Sequence, residues 1–160
     1  MIQRIQTLYF IGVMLLLSSL LFGMEIFGFP TQKNYFSYSV YGIQRFNSEI
    51  SVPLQKAENY VESILFYFVI ALVLFNYFAM MNYKNLKRQF RLARLALLIY
   101  VVGLLSVLIL GSLGFLVDNA TSIKLGWGYY LSVIGLPLSY FAFKGVKKDK
   151  EILESLDRLR

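Results

Sequence analysis

The sequence predicts an all-α membrane protein: a bundle of four transmembrane helices with both chain ends in the cytoplasm, a β-hairpin-like periplasmic loop and a short cytoplasmic C-terminal helix. Three observations lead to this fold class. With 58% hydrophobic and 16% charged residues, the chain is more apolar than soluble domains, in which about a quarter of residues are charged. Four apolar runs are each long enough to cross a bilayer, which takes about 20 residues. Lys and Arg are concentrated in alternate segments between these runs.

The four spans are expected to form one integral membrane domain over residues 1–160. The first span is expected to be retained, because its apolar run is longer than that of a secretory signal and no small-residue cleavage site follows it. The predicted spans lie at about residues 7–29, 60–82, 92–117 and 127–145, with a periplasmic loop at 30–59 and a cytoplasmic tail at 146–160.

The distribution of positive charge predicts the orientation. The segment before the first span holds Arg4, the 84–94 loop holds five cations, and the tail beginning near Lys144 holds six. The loops on the other side hold three and one, so twelve Lys and Arg face four. The side of the membrane with more cations is the cytoplasmic side. The cations are therefore expected to contact anionic phospholipids at the cytoplasmic face, and no nucleic-acid partner is expected.

The loop between the first two spans has a strand-like pattern. In NYFSYSVYGIQRF, Tyr35 and Ser37 alternate with Phe36 and Tyr38, and EISVPL follows after the turn-like pair Asn47–Ser48. Two aromatic or β-branched runs joined by a short polar turn predict a β-hairpin. An isolated hairpin is marginal in water, so this one needs a surface to pack on.

Small and polar residues within the spans are expected to pack helices together. Asn76 could form a hydrogen bond between helices, and small residues at helical spacing allow close approach. Whether these small-residue faces pack within the bundle or against a partner is left open at this stage. The small-residue pairs are Ser19 with Gly23, Gly111 with Gly114, and Gly135 with Ser139.

The residue types argue against an enzyme. The chain has no His and no Cys, so the commonest general base, the commonest metal ligand and thiolate chemistry are missing. No catalytic, cofactor-binding or metal-binding residues are predicted. Glu25 and Glu62 are the acids closest to the membrane interior, and acids within a membrane are candidate ion or proton sites. The alternative is that both sit at headgroup depth, paired with Lys33, Lys56 or Lys124.

The C-terminal tail predicts an amphipathic helix. In KKDKEILESLDRLR, Ile152, Leu153, Leu156 and Leu159 have helical spacing. Asp149 is expected to cap this helix. Ion pairs between residues four apart are expected for Lys150 with Glu154 and for Glu154 with Arg158.

The two chain ends together resemble a known family. MIQRIQTLYF at the start and KKDKEILESLDRLR at the end, with its final Asp157 to Arg160, are similar to the family called domain of unknown function 4293. The resemblance implies a small four-span membrane protein of Bacteroidota, located in the bacterial inner membrane. It implies no activity, so it assigns no catalytic residues.

These observations lead to a non-catalytic accessory or structural subunit of a larger inner-membrane complex, for which we favour protein export or insertion machinery. The alternative is a small transporter, channel or lipid-binding membrane protein that uses Glu25 and Glu62. The apolar tail residues are expected to be buried, on a partner or on the chain's own cytoplasmic face beside Arg4 and Arg91. The partner-docking candidates are Ile2, Arg4, Ile5, Ile152, Leu156, Leu159 and Arg160.

The orientation can be tested with reporter fusions. A reporter fused at Gln55 should be active in the periplasm, and one fused at Asn85 should be active in the cytoplasm, because the cations surround Asn85. The measurement is the activity of a reporter pair, one member folding only in each compartment. The opposite pattern would overturn the predicted orientation.

Overall fold

Four helices and a small antiparallel β-sheet make up the fold. A computed structural model describes residues 2–31, 34–47, 53–56, 60–117 and 122–158, with side chains over 5–31, 35–44, 65–112 and 122–155. The helices are α1 (Ile2–Leu20), α2 (Tyr60–Met81), α3 (Leu86–Val117) and α4 (Trp127–Arg158). The strands are β1 (Phe27–Pro30), β2 (Asn34–Ser39), β3 (Gly42–Asn47), β4 (Pro53–Lys56) and β5 (Lys124–Leu125).

Each helix packs against two others. Helix α1 lies beside α4 and α2, and α3 also lies beside α4 and α2. Two helical stretches, Leu65–Lys84 and Leu86–Ser112, are long and apolar enough to cross a membrane, and Ile5–Leu20 is a shorter apolar helix. Only 28% and 22% of the two longer stretches is buried within the chain. Most residues of these stretches are therefore not covered by the rest of the chain.

The first helix is shorter than predicted. It ends at Leu20, whereas the predicted span ran to Phe29. Gly23 has a φ of 79°, a left-handed conformation that ends helices readily because glycine has no side chain. The next residues then pair as β1. Continuous apolar character therefore misplaced the boundary, because it does not separate a helix from a buried strand.

The segments that were predicted to be cytoplasmic are more helical than expected. Only a 3-10 turn (Asn82–Lys84) and Asn85 separate α2 from α3, so most of the cations predicted to lie in an 84–94 loop are on α3. The tail is also not a separate helix. Helix α4 runs without a break from Trp127 to Arg158.

The sheet confirms β structure between the first two helices and corrects its details. Strand β3 pairs with β4, as the predicted hairpin requires. The prediction missed a second turn, because β2 and β3 pair antiparallel with Ser39 opposite Gly42. The turn at Val40–Tyr41 is held by the Tyr41 N–H, which donates to Ser39 Oγ at 3.3 Å. The full strand order is β4-β3-β2-β1-β5, so β5, between α3 and α4, completes the sheet.

One face of the sheet is aromatic and covers the ends of the helices. Phe27 lies opposite Tyr38, and Phe29 lies opposite Phe36. Phe27, Phe29 and Tyr38 are buried in one apolar cluster with residues of α1, α2 and α3. The Phe27 ring also packs on Gly111 of α3, where a side chain would collide with it. The small residue at position 111 thus allows the sheet to pack closely on α3.

Polar groups inside the helices also have partners different from those predicted. The Asn76 amide donates to the Leu72 carbonyl of its own helix at 2.8 Å, so the expected bond between helices is not made. By contrast, the Tyr100 hydroxyl of α3 donates to the Ser132 carbonyl of α4 at 2.8 Å. Gly135 makes this bond possible, because a side chain there would collide with the Tyr100 hydroxyl. The small residue at 135 therefore packs within the chain.

Replacing Gly135 tests this contact between α3 and α4. Gly135→Ala should lower the free energy of unfolding by about 1–3 kcal/mol, the usual range for overpacking. Tyr100→Phe should lower the free energy of unfolding by about 0.5–1.5 kcal/mol, since it removes one hydrogen bond. In the double variant Phe lacks the hydroxyl oxygen, which is the atom closest to the new methyl group, so the combined loss should be smaller than the sum. The measurement is denaturant unfolding in detergent micelles.

Gly12→Ala is the matched control, because its new methyl group would meet only Leu138 Cδ1 at an ordinary distance of 3.5 Å. Equal losses at positions 12 and 135, or strict additivity with Tyr100→Phe, would contradict this account.

Candidate docking surface at the joined chain ends

The two chain ends meet through a buried hydrogen bond. Gln6 of α1 is 3% exposed and its Nε2 donates to Asp149 Oδ2 of α4 at 2.7 Å. Gly145 gives Gln6 room, since a side chain at 145 would come within 2.6 Å of Gln6 Cγ. A charged acceptor strengthens a hydrogen bond, and an unpaired carboxylate in this position would be costly. Asp149 is thus a buried link between helices, and the predicted helix cap at this position is wrong.

An apolar cluster lies one helical turn away from this bond. Phe10 of α1 and Val146 of α4 are buried in it together with three alanines, Ala79, Ala93 and Ala142. Alanines on facing helices let the helix backbones approach each other. A closely packed layer that involves all four helices therefore lies next to the Gln6–Asp149 bond.

One stripe of α4 follows α1. Leu138 lies beside Gly12, and the Phe141 ring is 5.8 Å from that of Tyr9. Gly145 and Asp149 then contact Gln6. These α4 residues are three or four apart, which places them on one face of the helix.

The same stripe of α4 continues beyond Asp149 with Ile152 and Leu153. The side chains of these two residues are 42% and 50% exposed. Along this face they follow Asp149, which is hydrogen-bonded to Gln6 of α1. Burial of Ile152 on the chain's own surface, one of the two expected arrangements, is therefore wrong, and burial on a partner stays a prediction.

The other docking candidates are placed only in part. Ile5 of α1 is 56% exposed. Ile2 and Arg4 belong to α1 and Leu156 belongs to α4, but their side chains lie outside the described part of the structure. Leu159 and Arg160 lie outside the described residues altogether.

The charged groups of this segment lie beside the apolar stripe. Lys150 Nζ is 3.5 Å from Glu154 Oε1, which confirms one predicted ion pair. Lys150 also lies 4.6 Å from the centre of the Phe90 ring, a favourable cation–π distance. Lys147 pairs with Glu151 at 3.7 Å. The predicted pair of Glu154 with Arg158 lies outside the described side chains.

At the opposite end of the helices, Glu25 is held by neutral groups. The Tyr35 hydroxyl donates to Glu25 Oε1 at 2.6 Å, and the Ser37 hydroxyl donates to Oε2 at 3.0 Å. Gly28 opens the necessary space, because a side chain there would collide with both Tyr35 and Glu25. Burial, and then the hydrogen bond and negative charge of Glu25, raise the pKa of Tyr35 to about 12.

This arrangement answers the expectations for Glu25 only in part, because the side chains of Lys33 and Lys56 lie outside the described part of the structure. Among the described side chains the ion pairs are those of Lys147 and Lys150, so the expected pairing of Glu25 with Lys124 is not made. Glu62 lies on α2, but its side chain is outside the described part, so a joint site with Glu25 stays untested. Over the described residues, no three His, Cys, Asp or Glu side chains are grouped so that they could hold a metal ion. The sequence analysis did not predict Tyr35 and Ser37 as partners of Glu25. Their alternation with Phe36 and Tyr38 indicated that both lie on the same face of a strand, opposite to the apolar face.

These features define a small, mostly helical protein with at least two helices apolar enough to cross a membrane, a β-sheet over one helix end and joined chain ends at the other. The profile of the family described as Domain of unknown function (DUF4293) matches residues 2–159, and the chain belongs to this family. The match confirms the resemblance carried by the two termini. A comparison with curated proteins finds no match.

The Gln6–Asp149 bond can be tested with a double-mutant cycle. Gln6→Leu should lower the free energy of unfolding by about 1–3 kcal/mol, because it leaves the Asp149 carboxylate buried without its donor. Gln6→Leu with Asp149→Leu should recover most of this loss, since two apolar groups can replace a buried polar pair at little cost. The measurement is denaturant unfolding in detergent. A double variant no more stable than the sum of its single variants would contradict the direct bond.

Substitution of Glu25 distinguishes a structural role of this residue from a role in an ion or proton pathway. Glu25→Gln with Glu62→Gln should leave membrane insertion and cellular phenotype unchanged, because the Gln amide oxygen can accept from Tyr35 and its N–H can donate to the Ser37 hydroxyl oxygen. In the protein carrying Glu25→Gln alone, the Tyr35 pKa should fall from about 12 towards its usual value of 10.0, since the carboxylate charge is gone. The measurement is the alkaline absorbance titration of each protein minus that of its Tyr35→Phe counterpart. Loss of function at normal abundance would favour an ion or proton pathway.

Proposed function

We propose that this chain is a four-span inner-membrane protein with both ends in the cytoplasm, and that it serves as a non-catalytic accessory subunit of a larger membrane complex. Exposed apolar side chains on all four helices support four spans. They include Leu15 of α1, Phe78 of α2, Val102 of α3 and Ile134 of α4, which are between 53% and 67% exposed. Such surfaces are stable against hydrocarbon and costly against water.

Exposed cations support the membrane orientation. Lys87, Arg91 and Arg94 follow one another on α3 at spacings of four and three residues, and all three are exposed. Lys147 and Lys148 are exposed near the same end of α4. At the cytoplasmic face these side chains would lie at the depth of lipid phosphates, so anionic phospholipids are the proposed lipid partners.

The observation that carries the accessory role is the extension of α4. Its 32 residues correspond to roughly 48 Å at the usual helical rise, more than the about 30 Å of a bilayer's hydrocarbon core. Beyond Asp149, this extension presents Ile152 and Leu153 on the same face that packs against α1. A partner helix could pack there as α1 packs on the preceding turns. Protein export or insertion machinery is our favoured host.

The proposed docking surface is tested by in vivo photocrosslinking. A photoreactive amino acid at Leu153 should give a defined protein adduct, because this side chain would lie in the interface. Ile152→Ser in the same protein should abolish the adduct while the membrane abundance stays constant, since burying each such side chain contributes roughly 1.5–3 kcal/mol. Leu156→Ser with Leu159→Ser should have the same effect. The measurement is the adduct yield per inserted protein.

The matched control is Lys147→Ser with Glu151→Ser, which changes two exposed residues of α4 away from the apolar stripe. It should leave the adduct in place. If the adduct survives Ile152→Ser, or if Leu153 gives only lipid adducts, the extension is a membrane-surface helix and the docking role fails.

A further inference from the structure

A cavity lies between the helices just below the sheet. Its walls come mainly from α1, α2 and α3, with Ser132 of α4, and it is partly open to the surroundings. Leu17, Val69 and Leu72 line its inner side and are buried. Because these side chains are entirely apolar, water inside the cavity would find no hydrogen-bond partners among them.

The polar groups at the cavity are already paired with each other. The Tyr100 hydroxyl donates to the Ser132 carbonyl at 2.8 Å. The Ser132 hydroxyl donates to the Tyr129 carbonyl at 2.7 Å. The lining carries no charged residue. An occupant therefore has no polar group to satisfy and would itself have to be apolar.

The cavity is closed towards the sheet and opens sideways. Ile26 and Val40, which close it at the sheet end, are 2% and 0% exposed. Phe68 of α2 and Leu104 and Val107 of α3 are only half-buried, which puts the open side between these two helices. These are the two helices whose length and composition fit a membrane span. The opening is thus continuous with the surface that faces hydrocarbon.

Gly103 shapes this opening. The Phe68 ring lies so close to α3 that any side chain at position 103 would collide with it. Glycine therefore lets the ring pack directly on the α3 backbone at the edge of the cavity. The ring is a flat, uncharged surface along which a hydrocarbon chain could pass.

We propose that this cavity binds the terminal part of one acyl chain of a phospholipid from the leaflet on the sheet side, entering between α2 and α3. The apolar lining, the satisfied polar groups and the lateral opening all match a hydrocarbon chain. This site goes beyond the proposed accessory role. It depends on the membrane placement of α2 and α3 and does not depend on docking at the end of α4.

The test uses the full chain in phosphatidylethanolamine vesicles that contain a phosphatidylethanolamine with a diazirine near the methyl end of one acyl chain. After illumination, mass spectrometry should find adducts on Val69 and Leu72, which lipid at the outer surface of the helices cannot reach. Adducts confined to exposed residues such as Leu105 and Leu108 would overturn the proposal.

Val107→Phe should reduce the adducts on Val69 and Leu72 to near background, because the larger ring fills the opening. Ile109→Phe is the matched control, since Ile109 is on the same helix but 59% exposed, and it should leave these adducts unchanged. If Val107→Phe lowers abundance, Leu104→Phe makes the same test. Unchanged adducts in a folded blocking variant would overturn the proposal.

The experiment also separates this proposal from the accessory role. Ile152→Ser should leave the adducts on Val69 and Leu72 in place even where it abolishes the protein adduct at Leu153.

Discussion

The packing of α1 along α4 is the constraint on which the rest of the structure depends. At one end the Gly128 N–H donates to the Glu25 carbonyl at 2.8 Å, which ties the start of α4 to the segment after α1. At the other end Gln6 donates to Asp149. The two helices are therefore fixed at both ends, although one has 19 residues and the other has 32. Helix α4 is the longer one and continues from Asp149 to Arg158, and Ile152 and Leu153 in this segment are exposed.

The sheet has the corresponding role at the opposite end. One sheet combines the four strands between α1 and α2 with a short strand between α3 and α4. The α1–α2 and α3–α4 connections are therefore joined to each other. Phe27 places its ring on Gly111 and covers the helix ends. Backbone groups within a sheet satisfy each other's hydrogen bonds, which lowers the cost of burying the aromatic face of the described strands against an apolar cluster. The apolar cavity below Ile26 and Val40 is a consequence of this cover.

The two ends differ in chemical character, and this bears on function. Near the sheet, the carboxylate of Glu25 is already occupied by the Tyr35 and Ser37 hydroxyls, an arrangement that stabilises a loop on a sheet. At the chain ends, Ile152 and Leu153 have no such cover within the described structure. When a partner covers an exposed apolar stripe, the burial of that surface stabilises the complex. This difference is the reason why we propose protein contacts at the end of α4 and no chemistry at Glu25.

The sequence by itself determined the helical segments, the β structure after α1 and the family, because apolar run length, alternation and the two terminal motifs are local properties. The end of α1 near Gly23 and the turn at Val40–Tyr41 were decided by pairing between strands distant in sequence. The role of Asp149 was decided in the same way: a short polar residue ahead of an apolar run is typical of a helix cap, and only the packing of α1 brings Gln6 to it. Which residues of an amphipathic stripe are covered depends on the relative lengths and register of α1 and α4. Local pattern does not contain that register, so tertiary structure alone placed Ile152 on the surface.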